Sequence, residues 1–437
     1  MVRYGGGEHR VTIEADKTDL ATGLQTDPAP DLTRDSNSTT RDVGYRRLFR
    51  LPGFPKLAAA TVLARTGGQL WQVALVLFVL QRFHSPALAG FATFVAIVPG
   101  LVVSPLAGAL LDRYGCLRLI RVDLTVAALA LMLLAALSLA NALTSAILLV
   151  IVALSSLTSP LTISGTRTLF PRAVPRELWD RANGVDSGSM ALAMVVGPAL
   201  AGFLVAWFGG EGAFLLTAGI FVITCVVLFG VEEPPTEPGD REPLLRAAWQ
   251  SLVYVVRHPT LRGVIVTLWT TNIPYGFLVV ALPVMILREF HWGADGVGLL
   301  WAVAGVTTVV AGLVAGRINT EGRERQIIVG GMVFAALACV CILLQSPVSL
   351  LAGMALLGLA SGPIDIGLFA LRQRRTDPRW FGRIFAVSMS LNFAGMPVGS
   401  ALAGPVVEQS IPLALLVAVV ISAIGCVVPL LVIPRDG

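Results

Sequence analysis

Four ionisable side chains stand inside stretches otherwise apolar enough to cross a bilayer: Arg65, Asp123, Asp186 and Asp365. Charge at that depth is expensive, so each is a functional candidate by default. Asp365 follows Ser361-Gly362-Pro363, where a proline is expected to distort its helix, and is the first choice for a carboxyl group that takes up and releases a proton. The alternative is a plain ion pair with a nearby arginine. Arg65 lies about nine residues into its apolar run, roughly 13 Å deep at about 1.5 Å per residue, with Gln69 and Gln72 on the same face. That stripe either lines a transport path or belongs to a buried structural pair. Asp123 and Asp186, each about one and a half turns from a helix end, are expected to serve an inner charge network.

Further polar and aromatic residues interrupt the apolar stretches. Trp269-Thr270-Thr271-Asn272-Ile273-Pro274-Tyr275 reads as a break of the kind that lines water-filled cavities. With Trp71, Met190, Met194, Trp301 and Asn392 it could form a roomy surface for a lipophilic small molecule, or simply pack. Nothing in the pattern supports catalysis. No Gly-rich loop runs into Lys-Ser/Thr, so nucleotide hydrolysis by this chain has no sequence support. The histidines, His9, His84, His258 and His291, stand outside the apolar runs, and the cysteines, Cys116, Cys225, Cys339, Cys341 and Cys426, show no metal-ligand spacing.

The elements that must position these groups follow from composition. The chain has 437 residues, 55% of them hydrophobic and 14% charged, against about 25% charged in a soluble domain. Its net charge of +5 comes from short basic clusters between apolar runs, which argues for membrane topology and against a nucleic-acid partner. A bilayer core needs about 20 apolar residues per helix. Twelve such runs occur, near 57–81, 86–111, 118–140, 144–166, 180–207, 212–231, 261–287, 294–316, 326–345, 348–371, 381–407 and 411–433. An all-α integral membrane protein of twelve spans is expected, because helices satisfy the backbone in lipid.

Lys and Arg orient the spans. With both termini cytosolic, 29 basic residues fall inside, against Arg82 and Arg288 outside and Arg65 within a span. No apolar signal segment is visible, and residues 1–50 read as a disordered cytosolic tail. Residues 51–231 and 261–437 form six-helix halves, joined by a linker at 232–260 that opens with a Pro-rich turn. In it Leu244, Leu245, Ala248, Leu252 and Val255 recur at helical spacing, as in an amphipathic helix on the membrane surface.

The halves repeat each other. Arg181 to Gly202 and Arg383 to Gly404 agree at nine of 22 positions without a gap. At a shift of 207, Phe83-His84 falls on Phe290-His291. Such two-fold repeats place a substrate site between the halves, near mid-membrane.

Between the second and third runs stands Gly108-Ala109-Leu110-Leu111-Asp112-Arg113-Tyr114-Gly115-Cys116-Leu117-Arg118. Glycine here permits close helix approach and a turn, and Asp112 can accept from a neighbouring helix N-terminus, for which Asp377-Pro378 at the eleventh run is the best partner. The segment resembles the signature G-x-L-a-D-r-x-G-r-k of the major facilitator superfamily: Gly108, Leu110, Asp112, Arg113 and Gly115 match. Cys116 and Leu117 replace its last basic pair, with Arg118 one place late. The resemblance implies a loop that locks the outward-open state. The equivalent loop of the second half is degenerate, with Asn319 in the place of Asp112.

Gly197-Pro198-Ala199-Leu200-Ala201-Gly202 is similar to the G-P-x-x-G-G signature of exporting members, and physically is a small-residue face for close packing. Arg167 stands at the end of the fourth run rather than inside it, where many drug/proton antiporters carry an arginine. With R-A-N at Arg181 to Asn183 and G-R-I-F at Gly382 to Phe385, the chain looks most like the siderophore-exporter and macrolide-efflux branch. The resemblance implies proton-linked export of a lipophilic molecule across the cytoplasmic membrane, by a monomer with no cofactor. Uptake or lipid flipping by the same fold, and a non-transporting receptor, stand as the alternatives.

Overall fold

The computed structural model describes residues 45–233, 253–315, 317, 320–375, 391–392 and 394–434. Thirteen α-helices are labelled: α1 (Tyr45–Leu48), α2 (Phe54–Phe83), α3 (Pro86–Tyr114), α4 (Cys116–Leu139), α5 (Ser145–Ser156), α6 (Ser159–Arg172), α7 (Trp179–Phe229), α8 (Pro259–Arg288), α9 (Ala294–Ala315), α10 (Glu324–Leu343), α11 (Pro347–Arg375), α12 (Gly395–Gln409) and α13 (Ile411–Val432). Ten helical segments are long and apolar enough to cross a membrane. One of them, within α7, runs 49 residues, about 73 Å at 1.5 Å per residue and therefore two passes of a bilayer core about 30 Å thick. The described part of the eleventh run, α12, completes twelve.

Local chemistry sets the boundaries. Ser85, Thr144 and Ser410 accept hydrogen bonds from the backbone amides of Leu88, Ile147 and Leu413, capping α3, α5 and α13. The repeat is written in the backbone as well. His84 (φ 53°) and His291 (φ 52°) both take the left-handed conformation after the first helix of each half.

Three expectations about the elements change. The fourth run is broken: Pro160 opens α6 after the turn at Leu157-Thr158. The fifth and sixth runs are two helices, as expected, joined within α7 by a kink at Gly209 (φ 71°, ψ 175°), a conformation glycine alone adopts easily. The stretch Trp269 to Tyr275 is not a break, because α8 continues through Pro274, and α11 likewise continues through Pro363. Within the span expected to be an unstructured tail, α1 forms a helical turn with Leu48 fully buried. The linker residues 234–252 lie outside the described residues; Val255, at their end, is buried with Leu261 rather than laid on a surface.

The two halves meet on the side opposite the basic loops. There α3 crosses α12 at Gly90 and Gly404, and α7 crosses α9 at Gly202 and Gly298. A Cβ at Gly404 would lie 2.7 Å from the Cα of Ala87, and one at Gly298 would lie 2.9 Å from the Ala199 carbonyl oxygen. Arg288 adds a hydrogen bond of 3.0 Å to the carbonyl of His84, joining the first helices of the two halves. Toward the basic loops the same helices part: a Cβ at Gly108, Gly188 or Gly312 would meet nothing within 4 Å. Among the described residues, the halves are therefore in backbone contact on one side and apart on the side of the basic loops.

Candidate transport site

Arg65 sits on α2 and Asp186 on α7, and the structure brings them together. The guanidinium Nη2 lies 2.6 Å from Asp186 Oδ1, while Nη1 donates to the Asp186 carbonyl at 2.5 Å and to Ser189 Oγ at 2.6 Å. The side chains are 13% and 23% exposed. Three bonds on one fork make this a positioned ion pair, not a freely moving lining residue. The contact is a part-buried ion pair between the first and fifth spans. Gln72 is exposed and Gln69 partly so.

Directly above that pair, α2 and α7 touch at the Gly197–Gly202 motif. A Cβ on Gly197 would lie 2.5 Å from Gln69 Cβ. The two glycines of the motif thus serve different neighbours: Gly197 admits α2 of its own half, and Gly202 admits α9 of the other. Pro198 carries its carbonyl to the Gly298 crossing, and its repeat counterpart Ser400 does the same toward Gly90.

Asp123 is buried at 6% exposure and accepts from Thr158 Oγ1 at 2.6 Å, where the fourth span breaks. It and Asp186 therefore belong to separate local arrangements rather than one network. Asp365 lies on an exposed face of α11, next to Ile364 and Leu368, which pack into the core of the second half. Burial, the basis for expecting a protonatable group there, is not what this conformation gives it.

The residues expected to form a cavity divide. Trp269 donates its ring N–H to the Leu391 carbonyl at 2.9 Å, and Asn272 donates to the Asn392 carbonyl at 2.8 Å, so both hold α8 against the eleventh span. Asn392 is buried. Trp71 packs at a tilt against Phe214, with ring centres 5.6 Å apart. Tyr275 and Trp301 form an edge-to-face pair at 5.3 Å linking α8 to α9, with the tyrosine 36% exposed. Met194 is 40% exposed although its backbone meets α9, a Cβ on Gly305 lying 2.9 Å from its carbonyl oxygen, and Met190 is partly exposed one turn further.

Between α3 and α4, Gly115 (φ 87°) ends one helix and starts the next. Leu110 and Arg113 are exposed, and among the described residues a Cβ on Gly108 would meet nothing within 4 Å. The side chain of Asp112 and the segment holding Asp377-Pro378 lie outside the described residues, as does Asn319. Sequence reasoning missed Glu233, whose carboxylate accepts from the Cys116 and Leu117 amides at 2.5 and 3.0 Å. It also missed Gly90, Gly298 and Gly404; the repeat register that aligns Gly202 with Gly404 was the signal available.

A sequence model described as Major Facilitator Superfamily matches residues 57–284 and 264–437. The chain belongs to that superfamily. An uncharacterized MFS-type transporter, y4rN of Sinorhizobium fredii, is 41% identical over 403 residues, covering 91% of this chain and 98% of that one. The multidrug efflux pump Tap of Mycolicibacterium fortuitum is 25% identical over 362 residues, 80% of this chain and 88% of its own. Among solved structures, a variant of the nucleoside transporter NupG superposes with a TM-score of 0.71 at 12% identity, covering 87% of this chain and 99% of that chain. That likeness carries the fold. This superfamily member is a multi-pass membrane transporter built of two pseudo-symmetric six-helix bundles.

Proposed function

We propose that the protein exports lipophilic small molecules across the cytoplasmic membrane, with its basic loops and both termini in the cytosol, by alternating access driven by proton entry. The observation that carries this reading is the asymmetry of the glycines along the two inter-half crossings. Gly90, Gly202, Gly298 and Gly404 are in backbone contact on the outer side, while Gly108, Gly188 and Gly312 face open space on the cytosolic side. Small residues at both ends of one interface are what two rigid halves need to close at either end in turn. The conformation described is then the loading state of an exporter. Its likeness to an efflux pump, and the use of the Gly197–Gly202 motif in the outer seal, support the outward direction.

In this mechanism a lipophilic molecule enters from the cytosolic side and contacts Met194, Gln72 and Tyr275. The halves then rock about the Arg65–Asp186 region, the outer crossings part, and Asp112 caps the start of the eleventh span to hold the outward-open state. Asp365 exchanges the proton that resets the cycle. The working unit is one chain, and no cofactor is needed. The test is substrate-dependent proton movement in inverted vesicles, with macrolides, siderophores and lipophilic cations as the panel. Recovery of a quenched pH probe on adding one compound, absent in Asp112→Asn, supports proton-linked export. No response across the panel from inserted, quantified protein overturns it.

A further inference from the structure

On the flank of the first half, away from the second, α4 and the end of α7 enclose a groove of about 580 Å³ lined by Arg118, Arg121, Val122, Thr125, Cys225 and Phe229. The helix α4 packs on α3, α5, α6 and α7, all of its own half, so the groove is separate from the transport path. Its chemistry is graded along the helix. The two arginines stand within the first two turns of α4, at the level of the basic loops, and the apolar walls run from there toward the membrane interior.

The arginines differ in how they are held. Arg121 donates Nε to the Leu117 carbonyl at 3.1 Å and lies over the Phe229 ring at 4.6 Å. Those contacts fix its plane and leave its terminal nitrogens without a protein partner among the described residues. Arg118 is exposed and has no hydrogen-bond or carboxylate partner among the described residues. Val122 and Phe229 are 43% and 69% exposed, an apolar surface that only lipid tails can cover at that depth. A fixed guanidinium, a second cation one turn away and an apolar slot beneath them match a lipid whose headgroup is an anion.

We propose that this groove binds an anionic phospholipid of the leaflet facing the basic loops. The phosphate sits between Arg118 and Arg121, and an acyl chain lies along Val122, Val126 and Phe229. Bound there, the lipid is wedged between the start of α4, which continues directly from the gating loop at Gly115, and the end of α7. The side assignment made above fixes only which leaflet supplies the lipid; the binding itself does not depend on the transport reading.

Native mass spectrometry of the delipidated full chain, titrated with phosphatidylglycerol, phosphatidylethanolamine and phosphatidylcholine of equal acyl chains, tests the site. The wild type should retain phosphatidylglycerol at about tenfold lower concentration than the other two, and Arg118→Gln/Arg121→Gln should abolish that preference. Arg118→Gln alone, at an exposed and unpartnered position, carries the test if the double variant does not fold. Equal retention of all three lipids, an unchanged preference in the variants, or displacement of the lipid by equimolar inorganic phosphate would overturn the proposal, the last by making the groove a free-anion site.

Discussion

Glu233 receives the backbone amide of Cys116 at 2.5 Å, and with its second oxygen that of Leu117 at 3.0 Å. A residue just past the end of α7 therefore caps α4 where the loop from α3 ends, satisfying two amides that an α-helix start leaves open and placing a negative charge at its positive pole. Glycine at 115 is part of the device. Its φ is 87°, and a Cβ there would lie 2.9 Å from Glu233 Oε2. Glu233→Ala should lower stability by about 1 to 2 kcal/mol, the usual range for losing such a cap, read as a drop in the thermal unfolding midpoint. Hydrogen exchange at the Cys116 and Leu117 amides should rise in the same variant; unchanged exchange would rule out the cap.

The Arg65–Asp186 pair should show the behaviour of a buried ion pair. Removing one partner strands the other, at a cost of about 3 to 5 kcal/mol, whereas replacing both with apolar residues costs less. Arg65→Met and Asp186→Leu should each lower the unfolding midpoint in nanodiscs more than the double variant does. Additive losses would show that the two side chains act independently.

The outer crossings make a prediction about conformation rather than stability. Gly202→Val or Gly404→Val places a side chain against the backbone of the facing helix, so the population should shift toward the outward-open state. Spin labels at Leu139→Cys and Leu344→Cys, exposed ends of α4 and α10 on the outer side, should move apart by several ångströms in these variants. Gly312→Val, where the facing space is open, should leave that distance unchanged.

Two carboxylates test the transport cycle. Asp112→Asn should slow transport while leaving membrane insertion intact, and an unchanged rate would remove the loop from the gating role. Asp365→Asn should uncouple transport from the pH gradient; full retention of gradient dependence would assign proton exchange to another group, for which the buried Asp123 is the next choice.

How much was legible depended on whether the relevant physics is local. Span number, helix type and the two-fold repeat are properties of composition and spacing, and the left-handed turns at His84 and His291 repeat where the aligned Phe-His pairs stand. Arg65 and Asp186 were each visible as charges within apolar runs, but they lie 121 residues apart, and nothing in one span names its partner in another. The expectation of a break at Trp269 to Tyr275 failed because a helix tolerates proline and polar side chains when neighbours bind those side chains, as the carbonyls of Leu391 and Asn392 do. The real break, at Leu157-Thr158, had a local signal that the run length overrode: Ser155, Ser156, Thr158, Ser159 and Pro160 cluster there in an otherwise apolar run. Glu233 stood in a turn-rich stretch that announces a linker and nothing about what its carboxylate would reach.

The outer seal is made of absent side chains, and that has a bearing on how such a protein can drift. Every single-base change that turns a glycine codon into another residue adds at least a methyl group, so each mutational neighbour of Gly90, Gly202, Gly298 or Gly404 props the halves apart. No substitution at these four positions can tighten the seal further. Adjustment of the balance between the two open states is therefore left to the cytosolic face, where Gly108, Gly188 and Gly312 have room for a larger residue and where change can proceed in small steps.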